Sequence, residues 1–182
     1  MPNTLLIYHG IYGHTRRICE VIQAEMIRLG VSTDISRLDN CEADDLERFD
    51  AIVIGAAIRN GKHNSAVLEF IRTRRDLLES KPSGFFSVNL VARKPEKNTP
   101  ETNPYVKAFL ARSPWQPKLV GVFAGNLDYQ RYRFMDRHII RFIMTLTGGP
   151  TDLHTKIEFT DWDRVREFAG QATALTADAA GS

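Results

Sequence analysis

The chain holds 182 residues, with 24 Lys and Arg against 22 Asp and Glu and a formal net charge of +2. Hydrophobic residues at 43%, aromatics at 9% and charged residues at 25% exclude a disordered, collagen-like or coiled-coil chain. They fit a single globular domain over 1–182, and the two cysteines, Cys19 and Cys41, stand outside any Cys/His cluster, which argues for a reducing compartment and against a metal site.

Met1 to Tyr8 has no basic leading segment and runs into an apolar stretch from Thr4, so it reads as a first strand and not as a signal peptide. Gly13 to Leu29 carries Ile18, Ile22, Met26 and Leu29 at helical spacing, and Gly30 closes that helix. Ser32 to Arg37 reads as a second strand, Asp44 to Phe49 as a short helical turn, and Ala51 to Gly55 as a strand buried on both faces. A helix over Ser65 to Leu78 follows, then strands over Ser83 to Val88 and Leu119 to Ala124. The last helix opens at Thr160-Asp161-Trp162-Asp163, presents Trp162, Val165, Phe168, Ala172 and Leu175 on one face, and is expected to fray over about 177–182.

Five strands interleaved with helices are the signature of βαβ units, hence an α/β fold with a doubly wound parallel sheet. Two stretches interrupt the alternation. Asn89 to Pro104 is a long polar loop, and Gly125 to Gly149 is an aromatic, basic insertion after the fifth strand. Long irregular insertions in compact domains usually serve function.

The segment His9-Gly10-Ile11-Tyr12-Gly13-His14-Thr15 joins the first strand to the first helix, where a doubly wound sheet turns backbone N–H groups toward an anion. It lacks the Gly-Lys-Ser/Thr ending of a P-loop and the spaced glycines of a dinucleotide fingerprint. Its Gly13-His14-Thr15 ending resembles the flavodoxin-like family, whose turn wraps the FMN phosphate. That resemblance implies a five-stranded sheet of order 2-1-3-4-5. Gly10 and Tyr12 stand where that family carries hydroxyls, so main-chain N–H groups would make more of the phosphate contact.

Ligands of such sheets bind beyond the carboxyl ends of the strands, where the order reverses. After the third strand comes Ala56-Ala57-Ile58-Arg59-Asn60-Gly61-Lys62-His63, small residues and then basic ones. After the fourth comes Ser87-Val88-Asn89-Leu90-Val91-Ala92-Arg93-Lys94-Pro95-Glu96-Lys97. With Gly148-Gly149-Pro150-Thr151-Asp152 and Thr160-Asp161-Trp162, these segments resemble the menaquinone-dependent protoporphyrinogen IX dehydrogenases of bacterial haem synthesis. The likeness spans Leu5 to about Phe168.

The resemblance implies FMN as cofactor, protoporphyrinogen IX as donor and a membrane quinone, menaquinone or ubiquinone, as acceptor. It puts Gly10 to Thr15 on the phosphate, Ala57 to Gly61 and Ser87, Val88, Asn89 and Leu90 beside the ring, and Gly125, Asn126 and Tyr129 on a third side. Arg59, Lys62, Arg93, Lys94, Arg131 and Arg133 are candidates for substrate propionates, against the alternative of a solvated surface. His63 reads as a loop hydrogen bonder or a base. Tyr12, Tyr129 and Tyr132 are candidates for stacking or for filling the loop base. No residue stands out as a catalytic acid or base.

A net charge of +2 is too mild to argue for nucleic acid, but residues 125–149 carry all of it: Arg131, Arg133, Arg137 and Arg141 against Asp128 and Asp136. From Tyr132 to Thr147, Tyr132, Met135, Ile139, Phe142, Ile143 and Leu146 share one side at helical period, and Arg133, Arg137 and Arg141 form a row. This amphipathic helical insertion either packs on the sheet or rests on an anionic bilayer, with Arg133, Arg137, Arg141 and Phe142 in contact. No apolar run approaches the roughly 18 residues that cross a bilayer. The expected location is therefore cytoplasmic, on the inner face of the membrane, and a homodimer is open. The competing functions are a one-electron carrier of the flavodoxin type, a nicotinamide-dependent quinone reductase and a flavin-free membrane adaptor.

Overall fold

The computed structural model describes residues 1–180. Strand β1 (Asn3–His9) leads into helix α1 (His14–Arg28), followed by β2 (Ser32–Arg37), α2 (Ala43–Glu47) and β3 (Ala51–Arg59). A two-residue strand β4 (Lys62–His63) folds back on β3 and precedes α3 (Ser65–Thr73), α4 (Arg75–Ser80) and β5 (Ser83–Val88). Then come α5 (Pro104–Arg112), β6 (Leu119–Phe123), β7 (Asn126–Asp128), α6 (Phe134–Thr147), β8 (Lys156–Glu158) and α7 (Trp162–Ala180).

The main sheet runs β2-β1-β3-β5-β6, every neighbour parallel, which is the expected order once the hairpin strand β4 is set aside. Successive strand residues point to opposite faces, and each face has its own core. Leu5, Ile7, Ile52, Ile54 and Phe85 pack on Val67, Phe70, Ile71, Leu78, Phe109 and Trp115. Leu6, Val53, Phe86 and Phe123 pack on Ile18, Ile22 and Met26 of α1 and on Val165, Phe168 and Ala172 of α7. Covering both faces explains why the strands read as unbroken apolar runs.

Four expectations change. The helix over Ser65 to Leu78 is two helices, because the Thr73 hydroxyl donates back to the Glu69 and Phe70 carbonyls and Arg74 leaves helical geometry. The polar loop from Asn89 holds two 3₁₀ turns, Leu90–Arg93 and Pro95–Lys97, closed by Asn103 Nδ2 donating to Asn89 Oδ1 at 3.0 Å. The insertion helix begins at Phe134, and the insertion stands on a β-ribbon in which β7 pairs with β8. Finally, α7 stays helical to Ala180, since the buried Thr176 hydroxyl bonds Thr4 of β1 at 2.9 Å; the rest of the expected frayed tail lies outside the described residues. Among the described residues no helix is long and apolar enough to cross a membrane.

Candidate functional site

The sheet's topology reverses between β1 and β3, and a crevice opens there, beyond the carboxyl ends of the strands. Its floor is the turn from β1 to α1. Gly13 caps α1 in a left-handed conformation, φ 83°, and no side chain caps the helix, so its first N–H groups and positive dipole end are free for an anion. At Gly10 a Cβ would stand 2.6 Å from Thr15 Oγ1, so only glycine lets the strand end pass this closely over the Thr15 hydroxyl.

His14 lines the same floor and is buried. Its Nε2 meets Thr160 Oγ1 at 2.7 Å, and the Thr160 hydroxyl proton is committed to the Ala124 carbonyl, also at 2.7 Å. The Thr160 oxygen therefore accepts from His14, which fixes the proton on Nε2. Burial lowers the His14 pKa; Glu158 raises it, and Arg17 and Arg131 lower it further. Its imidazole is neutral near pH 7.

One wall is Ala57 to Gly61. Asn60 (φ 53°) and Gly61 (φ 76°) are both left-handed, the two-residue turn that an Asn-Gly pair favours between antiparallel strands, here β3 and β4. The opposite wall is 88–91, braced from behind by buried side chains: His63 Nε2 to Ser87 Oγ at 2.9 Å, then Asn89 Nδ2 donating to Ser87 Oγ at 3.1 Å. Burial pushes the His63 pKa down to about 4, and its ring packs edge-on against Phe85 and Phe109. His63 is the loop hydrogen bonder, behind the wall and away from the crevice.

The third side comes from the insertion. Asp136 of α6, its side chain 3% exposed, accepts from the Tyr12 hydroxyl through Oδ2, while Arg59 donates Nε to Oδ1 at 3.1 Å and brings Nη2 to 3.0 Å from Oδ2 as an ion pair. Burial would raise the Asp136 pKa, but the Tyr12 and Arg59 hydrogen bonds and the charges of Arg59 and Arg133 outweigh it and hold the carboxyl below its usual range. One buried carboxylate thus ties the insertion to the phosphate turn and to the β3 turn. Ile140 and Ile143 of α6 roof the space between.

Residues 9–12, 14–15, 57–61, 88–90 and 125–126, all expected at a cofactor, line the crevice together. Gly13 stands just behind as the helix cap, and Ser87 is buried in the brace. Tyr129 is not at the crevice. It is fully buried against Leu127, Tyr132 and Met144, its hydroxyl donating to the Pro150 carbonyl, because it closes the core beneath α6.

Of the expected substrate cations, Arg59 lines the crevice, Lys62 stands exposed on the adjacent hairpin, and Arg131 donates to the Tyr12 carbonyl at 3.0 Å beside the exposed Arg133. Arg93 and Lys94 do not line it. Arg93 is turned back on Leu90 O and Thr147, fastening the 88–91 wall to the end of α6, and Lys94 caps the second 3₁₀ turn. Tyr132, a stacking candidate, lines it too, and Asn64, Val91, Tyr105, Asp136, Ile140 and Ile143, which were not among the expected cofactor residues, complete the lining. The Asn60-Gly61 turn signal could have pointed to Asn64, which caps the following helix.

Along α6 the expected apolar side is divided. Tyr132 and Ile143 face inward, while Met135, Phe142 and Leu146, joined by Phe134 from outside the expected set, are 63–70% exposed on the outside. Arg133 and Arg141 are exposed beside them, and Arg137 donates Nε to the Tyr129 carbonyl.

Residues 5–154 match the family described as flavodoxin domain. The chain is 43% identical over 173 residues to the protein named protoporphyrinogen IX dehydrogenase (quinone) of Escherichia coli strain K12, covering 95% of this chain and 96% of that one. The Leishmania major protein of the same name is 42% identical over 96% of this chain and 76% of its own. The chain belongs to the protoporphyrinogen IX dehydrogenase family of flavodoxin-domain proteins. Its fold is that of a short-chain flavodoxin associated with a bacterial microcompartment, at a TM-score of 0.57 and 14% identity over 97% of this chain and 99% of that one.

A flavodoxin domain indicates a flavin, and three features suit one with a phosphate tail: the uncapped N-terminus of α1, the notch at Gly10, and small residues at Ala57 and Gly61 beside the crevice.

Proposed function

We propose that this single-domain protein is an FMN-dependent protoporphyrinogen IX dehydrogenase of haem biosynthesis, passing electrons to a membrane quinone. The observation that carries the assignment is 43% identity along 95% of the chain to a protein of that name, together with a crevice that assembles the expected cofactor segments.

In this assignment the N–H groups at the start of α1, with the Thr15 hydroxyl, take the phosphate, replacing alcohols that the turn lacks. The Ala57 to Gly61 turn and residues 88–90 border the ring, and Gly125 and Asn126 close the side nearest β6. Bound FMN supplies two-electron acceptor chemistry; the chain supplies binding, orientation and a dry surrounding. Ile140 and Ile143 exclude water from above, and the exposed Lys62, Arg131 and Arg133 beside the crevice give a positive field that attracts a dianionic porphyrinogen.

The quinone is lipid-soluble, so the enzyme has reason to rest on the bilayer. We assign that contact to the outer side of α6, where Phe134, Met135, Phe142 and Leu146 are exposed and Arg133 and Arg141 flank them toward anionic headgroups. The protein would then be a peripheral one on the cytoplasmic face of the membrane.

The test is anaerobic mixing of the FMN-loaded protein with protoporphyrinogen IX and a soluble quinone, followed by porphyrin fluorescence. Porphyrin formation above the uncatalysed rate is expected. Formation at the uncatalysed rate, with flavin bound, would make the protein an electron carrier.

A further inference from the structure

We propose that Arg59 is the receptor for a carboxylate of the substrate, and that Asp136 and Tyr12 are the positioning residues that aim it. The assignment rests on the function proposed above and deepens it, because it says which edge of the porphyrinogen enters the crevice first.

Arg59 is the last residue of β3, and the left-handed Asn60-Gly61 turn immediately after it fixes where its side chain starts. Its Nε donates to Oδ1 of Asp136 at 3.1 Å and its Nη2 lies 3.0 Å from Oδ2 as an ion pair, so the guanidinium meets the carboxylate side-on, as a fork. A guanidinium has five N–H donors in a plane. The fork consumes one edge of that plane, and no polar partner occupies the Nη1 edge among the described residues. Here the Asp136 side chain is 3% exposed and the Arg59 side chain 41%, so the carboxylate is the fixed end and the guanidinium the open one.

Asp136 is itself held from a second direction, since the Tyr12 hydroxyl donates to the same Oδ2 that Arg59 reaches. A turn, a strand end and a helix therefore converge on one carboxylate, and little of the long Arg59 side chain's rotamer freedom remains to be lost when a ligand arrives. What this offers is a pair of parallel N–H donors, the geometry that suits a carboxylate. Pairing with Asp136 cancels the charge of Arg59, but the exposed Lys62, Arg131 and Arg133 leave a positive surplus beside it. An acidic ligand is drawn in by that surplus and oriented by the fork.

Protoporphyrinogen IX carries its propionates on one edge of the macrocycle and its apolar substituents on the other. With a propionate on Arg59, the apolar edge meets Leu90, Ile140 and Ile143, which line the same crevice. That pairing of polar with polar and apolar with apolar selects one orientation of the ring and hence which bridging carbon faces the flavin.

The experiment titrates FMN-loaded protein with protoporphyrin IX and with its dimethyl ester, both carried in the same detergent micelles, and reads binding by porphyrin fluorescence. FMN occupancy is followed separately by its visible absorbance. Arg59→Gln is expected to lose about tenfold in affinity for the diacid, the worth of one charged hydrogen-bonded contact, and less than about twofold for the diester. Asp136→Asn and Tyr12→Phe should lose part of the same acid-over-ester preference, Asp136→Asn more, and Arg59→Lys should fall between Arg59→Gln and the parent. Tyr12→Phe keeps the test open should Asp136→Asn fail to fold. Equal losses for acid and ester, or loss of FMN with no change in preference, would overturn the assignment. A parent protein that binds neither porphyrin would overturn the proposed function itself, along with this inference.

Discussion

The two sides of the crevice are built on different physical terms. The floor and the two facing walls are the ends of β1, β3 and β5, strands clamped between two apolar cores and hydrogen-bonded to neighbours on both sides. The third side is one helix, α6, fastened at its start by the Asp136 carboxylate, at its end by Arg93 and Thr147, and underneath by the small cluster of Leu127, Tyr129, Tyr132 and Met144. Four of its fourteen residues, Phe134, Met135, Phe142 and Leu146, are apolar and exposed. A rigid grip for the cofactor and a separately attached roof are the natural division of labour where a large ring must enter beside a flavin that stays.

The largest effect should separate these regions. Phe86→Ala removes a fully buried ring that touches Phe123 and Phe168, and should cost about 3–5 kcal/mol in urea unfolding. Met144→Ala, also fully buried but under α6, should cost about 2–4 kcal/mol by the same measurement. Hydrogen exchange should then speed up along α6 while the amides of β3 and β5 stay protected; uniform acceleration would mean that roof and sheet are one cooperative unit.

Gly10→Ala comes next. Its new Cβ must displace the buried Thr15 side chain, so the FMN Kd should rise roughly tenfold in a fluorescence titration. A smaller effect concerns pH. The His63 pKa falls from 6.5 unfolded to about 4 folded, so the unfolded state binds the extra proton between those values and stability declines as pH drops through them. His14 is shifted the same way, so the sharp readout is the difference: His63→Gln should flatten the decline without abolishing it. Smallest in stability is Phe142→Ser, an exposed change worth less than about 0.5 kcal/mol that should nonetheless reduce cosedimentation with anionic vesicles. Unchanged cosedimentation would leave the outer side of α6 without its assigned partner.

The sheet was legible because its signals are local. A β-branched run such as Ala51 to Gly55 between turn residues has few alternatives, and the period of Ile18, Ile22 and Met26 finds its face directly. The crevice followed, since strand ends and their turns are fixed once the strand order is. The insertion was legible as a helix but not in its orientation. With Ile140, Ile143 and Met144 on one flank and Phe134, Met135 and Phe142 on the other, it carries more apolar surface than one face can hold, and periodicity alone cannot say which flank meets the protein. Asp136 escaped notice for a related reason. Its importance lies in contacts with Tyr12 and Arg59, 124 and 77 positions away, which no local pattern encodes. Tyr129 was misplaced because an aromatic near a strand end serves equally well as a stacking ring or as core.

The most direct measurement follows the visible absorbance of the protein-bound flavin under anaerobic conditions through two additions. Protoporphyrinogen IX should bleach it with matching growth of porphyrin fluorescence, and a soluble menaquinone analogue added afterwards should bring the colour back. A flavin that keeps its colour when the porphyrinogen is added would contradict the assignment at its root.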